Sequence, residues 1–123
     1  MTDLDGLKRI NDEYGHTAGD TAIRIVAEAL KKCCPEDTLC VRFGGDEMLA
    51  VIKSMYDKKR MCEKIGNYLK EYNNLSGMPY TVAASIGVIH ARGKEILHFE
   101  NLIKKVDEQM YIDKGMNKIN RIE

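Results

Sequence analysis

The sequence predicts an α+β fold in which helices pack on a central antiparallel sheet. Three observations lead there. Apolar residues recur at three- and four-residue steps in separate stretches, two short alternating runs flank Gly44-Gly45-Asp46-Glu47, and a run rich in β-branched residues over 80–91 lies between two of the helical stretches. Mixed periodicities of this kind call for a layered helix-and-sheet architecture.

In order, the chain enters on the acidic residues Asp3 and Asp5, and a short helix over 7–14 runs until Gly15 breaks it. Over 17–33 the residues Ala22, Ile23, Val26, Ala27, Leu30 and Cys33 trace one face of an amphipathic helix, which Cys34-Pro35-Glu36-Asp37 ends. Runs 38–43 and 48–52 form a tight hairpin around the Gly-Gly turn. Asp57 precedes a helix to residue 72 with Met61, Ile65 and Leu69 as its buried stripe, and 73–79 reads as a loop. The run 80–91 reads as one long strand with Gly87 as a point of close approach. Phe99, Leu102, Ile103, Val106 and Met110 set a last helix over 99–113, after which the tail beyond Gly115 leaves room for a final strand.

A strand placed just before Asp3 turns this order into βαββαβ, a ferredoxin-like palm. There the first strand lies antiparallel to the second hairpin strand, so Asp3 meets the Asp46-Glu47 turn. The whole chain, 1–123, reads as one domain.

Composition narrows the function. Hydrophobic residues make up 44% of the chain, and 19 basic residues balance 19 acidic ones. No basic stripe of the kind that grips nucleic acid or an anionic membrane is present, so neither is expected as a direct partner. The longest apolar runs fall far short of the roughly 20 residues that span a bilayer. Cys33, Cys34, Cys40 and Cys62 lack metal-binding spacing and read as reduced thiols of a cytoplasmic domain, whatever anchors the parent protein.

Carboxylates converging from two chain segments suit a hard divalent cation, which takes oxygen ligands and fills its other positions with water and phosphate. Asp3 and Asp46 are the first candidates, with the backbone carbonyl of Leu4 as a third oxygen. The competing reading makes Asp3 and Asp5 caps of the following helix and Gly44–Glu47 a plain turn, and Asp5 fits either.

The segment from Asp3 to Asp20, then Arg42-Phe-Gly-Gly-Asp-Glu-Met48, Ser85-Ile-Gly-Val88 and Asp107-Glu-Gln-Met-Tyr111 together resemble the GGDEF family of diguanylate cyclases. The resemblance covers nearly the whole chain. It implies a nucleotidyl-cyclase-like palm that condenses two GTP into cyclic di-GMP, with release of two pyrophosphates, for bacterial signalling. It further implies one GTP per subunit of a homodimer and an N-terminal sensor or dimerisation domain in the parent protein. Asp3, Asp46 and the Leu4 carbonyl would bind Mg²⁺ or Mn²⁺, with Asp46 and Glu47 catalytic. Asn11 and Asp20 would read guanine, whose N1 and N2 donors suit such acceptors. Lys8, Lys114 and Lys118 would hold phosphates, and His16 would lie near the nucleotide.

Four departures from the family pattern stand out. Met48 replaces phenylalanine but keeps a buried apolar side chain. Asn117 and Lys118 replace glycine and arginine, losing a bidentate fork. Pro35, Glu36, Asp37 and Thr38 occupy the place of an Arg-x-x-Asp product-inhibition motif, so no feedback is expected there. The helix and most of the first strand that the family places before Asp3 are missing from the sequence, which reads as an N-terminally truncated domain. Two other readings stay open: a noncatalytic GTP-binding regulatory module, and a related cyclase or polymerase-like palm with a different product.

Overall fold

A sheet of four antiparallel strands organises the computed structural model, which describes residues 1–122 and the side chains of 1–116. Strand β1 (Thr2–Leu4) lies between β3 (Glu47–Val51) and β4 (Ala84–Ile86), and β2 (Leu39–Arg42) pairs with the far side of β3. Helices α1 (Leu7–Tyr14) and α2 (His16–Cys33) follow β1, α3 (Lys58–Ser76) follows the hairpin, and α4 (Phe99–Ile122) follows β4. This is the ferredoxin-like order expected from the sequence, with β1 forming the centre from three residues. The register sets Thr2 opposite Met48 and Asp3 opposite Glu47.

Burial of apolar faces holds the helices on the sheet. Ala22, Ile25, Val26, Ala29 and Leu30 of α2 pack with Met61, Ile65 and Leu69 of α3, against Leu4, Met48 and Val82. The α3 stripe is the expected one, and Met48 is buried as expected. The α2 stripe is turned: Ile25 and Ala29 lie inside, while Ile23, Ala27 and Cys33 are only partly buried. A second cluster joins Val106 and Met110 of α4 to Met1, with Leu49, Ile89 and Ile103 beside them.

Several boundaries differ from the sequence reading. The strand expected over 80–91 is reduced to Ala84–Ile86, because its partner β1 offers only three residues to pair with. Before it, the side chain of Asn73 donates to Val82 O and accepts from Val82 N, both at 2.8 Å, so a side chain replaces the ladder. Residues 73–76, expected as loop, continue α3 until Gly77 ends it at φ 67°, a left-handed value that favours glycine. Beyond Gly115 the chain extends α4 rather than forming a strand. The residues 93–97 form a short 3₁₀ helix that the sequence did not signal.

Gly87 is a point of close approach as expected. A Cβ there would press on Val106 O and come 2.6 Å from Met110 N, so only glycine lets α4 lie this close to the strand's end. Asp113 adds a polar tie, its carboxylate accepting the Ile86 N–H at 2.7 Å. Among the described residues no helix is long and apolar enough to cross a membrane.

Candidate functional site

Backbone pairing builds the acidic cluster. Leu4 N–H donates to Asp46 O at 2.9 Å, and Phe43 N–H donates to Glu47 O at 2.9 Å, so the hairpin turn closes against the end of β1. Arg42 braces the same turn, donating to Gly45 O at 2.8 Å and to Gly44 O at 3.3 Å. One carboxylate oxygen each from Asp3, Asp46 and Glu47 consequently lies within 4.8 Å of the others. Oxygen-only donors at that spacing match a hard divalent cation.

Asp3 is 7% exposed, and its buried Oδ1 accepts no hydrogen bond. An unsatisfied buried carboxylate oxygen is costly alone and is what a cation ligand looks like before its cation arrives. Burial, reinforced by Asp46, pushes the Asp3 carboxyl up to about 6, against the opposing pull of Lys114. Burial also raises Glu47, with Asp107 and Asp46 adding like-charge repulsion.

Lys114 Nζ donates to Asp3 Oδ2 at 2.8 Å, and that bond holds its ammonium above the ordinary lysine range. The sequence offered Lys114 as a phosphate ligand; its ion pair with Asp3 was not legible, because α4 and β1 lie at opposite ends of the chain. Asp5 does not cap α1, whose N-cap is Gly6 without a side-chain bond. Its buried carboxylate accepts the Ser85 hydroxyl at 2.6 Å, linking the residue after β1 to β4. Gly6, not Asp3 or Asp5, thus takes the N-cap position that the competing reading gave to them.

Of the residues assigned to the nucleotide, Lys8 and Asn11 lie on α1, His16 and Asp20 on α2, and Lys114 and Lys118 on α4. Lys8, His16 and Asp20 are exposed and Asn11 is half-buried. A Cβ on Gly19 would fall on Asn11 Oδ1, so the absence of a side chain there lets the Asn11 carboxamide lie against α2 at the residue preceding Asp20 in sequence. The side chain of Lys118, like that of Asn117, lies outside the described residues. Arg42 and Ser85 stood in the sequence motifs without a role and Asp113 was passed over; all three support the site from outside the cluster.

Comparison with known proteins agrees with this geometry. Diguanylate cyclase DgcM of Escherichia coli K12 is 32% identical over 123 residues, covering 97% of this chain and 29% of the relative. A cyclic di-GMP phosphodiesterase, NbdA of Pseudomonas aeruginosa, is 34% identical over 88 residues, 70% of this chain and 11% of its own length. The chain thus spans less than a third of either curated relative. The solved GGDEF domain of YfiN from Pseudomonas aeruginosa superposes with a TM-score of 0.70 at 26% identity, covering 94% of this chain and 69% of that one. The profile of the family described as diguanylate cyclase, GGDEF domain, matches residues 1–119. Since that match runs through β1, the hairpin turn and α4 alike, the chain belongs to the GGDEF family of diguanylate cyclase domains.

Proposed function

We propose that this chain is the catalytic domain of a diguanylate cyclase that joins two GTP into cyclic di-GMP. The observation that carries the reading is the three-carboxylate cluster of Asp3, Asp46 and Glu47, with a buried and unpartnered Asp3 oxygen inside it. Asp3, Asp46 and the Leu4 carbonyl would hold Mg²⁺ or Mn²⁺, which when bound offsets phosphate charge and eases deprotonation of a nearby hydroxyl. Asp46 accepts the proton of the attacking 3′-hydroxyl, and Glu47 supports it from the neighbouring position. The new bond joins that 3′-oxygen to the α-phosphorus of the second GTP, and the bond to pyrophosphate breaks in line with it. Asn11 and Asp20 bind guanine, the Asp20 carboxylate accepting from its N1 and N2 donors, Lys8, Lys114 and Lys118 bind phosphates, and His16 lines the nucleotide side.

Each 3′-hydroxyl needs the other molecule's α-phosphate, so two domains with one GTP each face one another as a homodimer. An N-terminal sensor or dimerisation domain in the parent protein would control that encounter. The domain works in the cytoplasm, where GTP is available, without nucleic acid or direct membrane contact. Its four cysteines are free, in keeping with a reducing compartment.

A second reading is a noncatalytic GTP-binding module that regulates a partner domain. The match to a protein named as a phosphodiesterase favours keeping it. GTP binding and turnover in wild type and in Asp46→Asn separate the two readings, since a noncatalytic module binds GTP without turnover in either. The catalytic reading expects retained GTP binding with turnover down at least about a hundredfold; unchanged turnover sinks the role of Asp46.

A further inference from the structure

Three carboxylates gathered within 4.8 Å repel one another unless a cation is present. Lys114 supplies positive charge at this cluster, 2.8 Å from Asp3 Oδ2. The two partners differ in freedom: the Asp3 side chain is 10% exposed, whereas that of Lys114 is 43% exposed. An ammonium on a four-carbon stem with one face in water can leave without disturbing the core. The backbone that carries it stays in place, because Asp113 ties α4 to Ile86 N and Gly87 seats the helix against the end of β4.

We propose that Lys114 is a tethered placeholder cation, neutralising Asp3 in the metal-free chain and leaving it for the nucleotide phosphates when a divalent cation enters. This rests on the reading of Asp3, Asp46 and Glu47 as the cation site. Lys114 then opposes cation binding in the absence of nucleotide, since two positive centres compete for one carboxylate. Phosphates that draw Lys114 away remove that opposition. Cation and GTP would therefore strengthen each other's binding through one side chain, and the effect is reciprocal. Lys114 would be a positioning residue as well as a phosphate ligand.

The experiment is an Mn²⁺ titration without nucleotide, with free Mn²⁺ followed by electron paramagnetic resonance. Wild type, Lys114→Met, Lys114→Gln, Lys114→Arg and Asp46→Asn are compared, with circular dichroism to establish that each retains its fold. The expected result is about tenfold tighter Mn²⁺ binding when the charge is removed, by Met or Gln, and near-wild-type binding in Lys114→Arg. Equal or weaker binding in the folded neutral variants overturns the placeholder role. Wild-type Mn²⁺ binding that Asp46→Asn loses would leave the cation site standing in that case. Absence of Mn²⁺ uptake by every variant removes both the cation site and the inference.

Discussion

Asp3 and Glu47 stand directly opposite one another in the β1–β3 ladder, two acidic residues in a register position where like charges destabilise a sheet. Burial, with Asp46 adding to it and Lys114 opposing it, raises the Asp3 carboxyl from 3.8 to about 6. Because the folded chain favours the protonated form, the stabilising contribution of Asp3 is fully present below pH 3.8 and is lost as pH rises through about 6. In urea denaturation with EDTA, Asp3→Asn should therefore gain stability over wild type at about pH 7.5 and lose most of that advantage near pH 3.8. A constant difference across that range contradicts the assignment.

Gly19 governs the position of Asn11. Its virtual Cβ would lie 3.1 Å from Leu7 Cδ1 as well as on the Asn11 carboxamide, so Gly19→Ala must move the proposed guanine contact. The expected outcome is a KM for GTP raised about tenfold with a smaller change in kcat, and weaker discrimination against ATP. In an Asn11→Ala background the same substitution should add little, which a double-mutant cycle measures.

Gly87 lies against backbone atoms of α4, which cannot rotate away as a side chain can. Gly87→Ala should cost about 1–3 kcal/mol by forcing the helix outward. Thermal melting reads the loss, and an unchanged midpoint would mean that the helix docks more loosely than described.

Product feedback should be absent at the segment 35–38. Pro35 and Thr38 stand where the family's inhibition motif has arginine and aspartate, so neither charged end is available to bind cyclic di-GMP. Initial rates measured with added cyclic di-GMP should show no strong noncompetitive inhibition; such inhibition would contradict the reading.

The order of elements and the meeting of Asp3 with the Asp46-Glu47 turn were legible because both follow from local periodicity and one topological rule. Gly87 was legible for a similar reason: an isolated glycine in a β-branched run signals close approach. What escaped were effects of partners distant in sequence. The strand over 80–91 has strong local β character, yet only three of its residues pair, because β1 is three residues long and Asn73 takes over at Val82. The loop at 73–79 was misread because Gly77, and not the polar Asn73-Asn74 pair, ends α3. At the site, carboxylate identities were readable from the motif, whereas the Lys114–Asp3 and Ser85–Asp5 bonds depend on tertiary placement that no local pattern encodes.

The most direct test is to incubate the purified chain, dimerised, with GTP and Mg²⁺ and separate the products by chromatography. Cyclic di-GMP together with pyrophosphate is the predicted result. GTP that binds but stays intact, or conversion to any other nucleotide product, would contradict the assignment of this domain as a diguanylate cyclase.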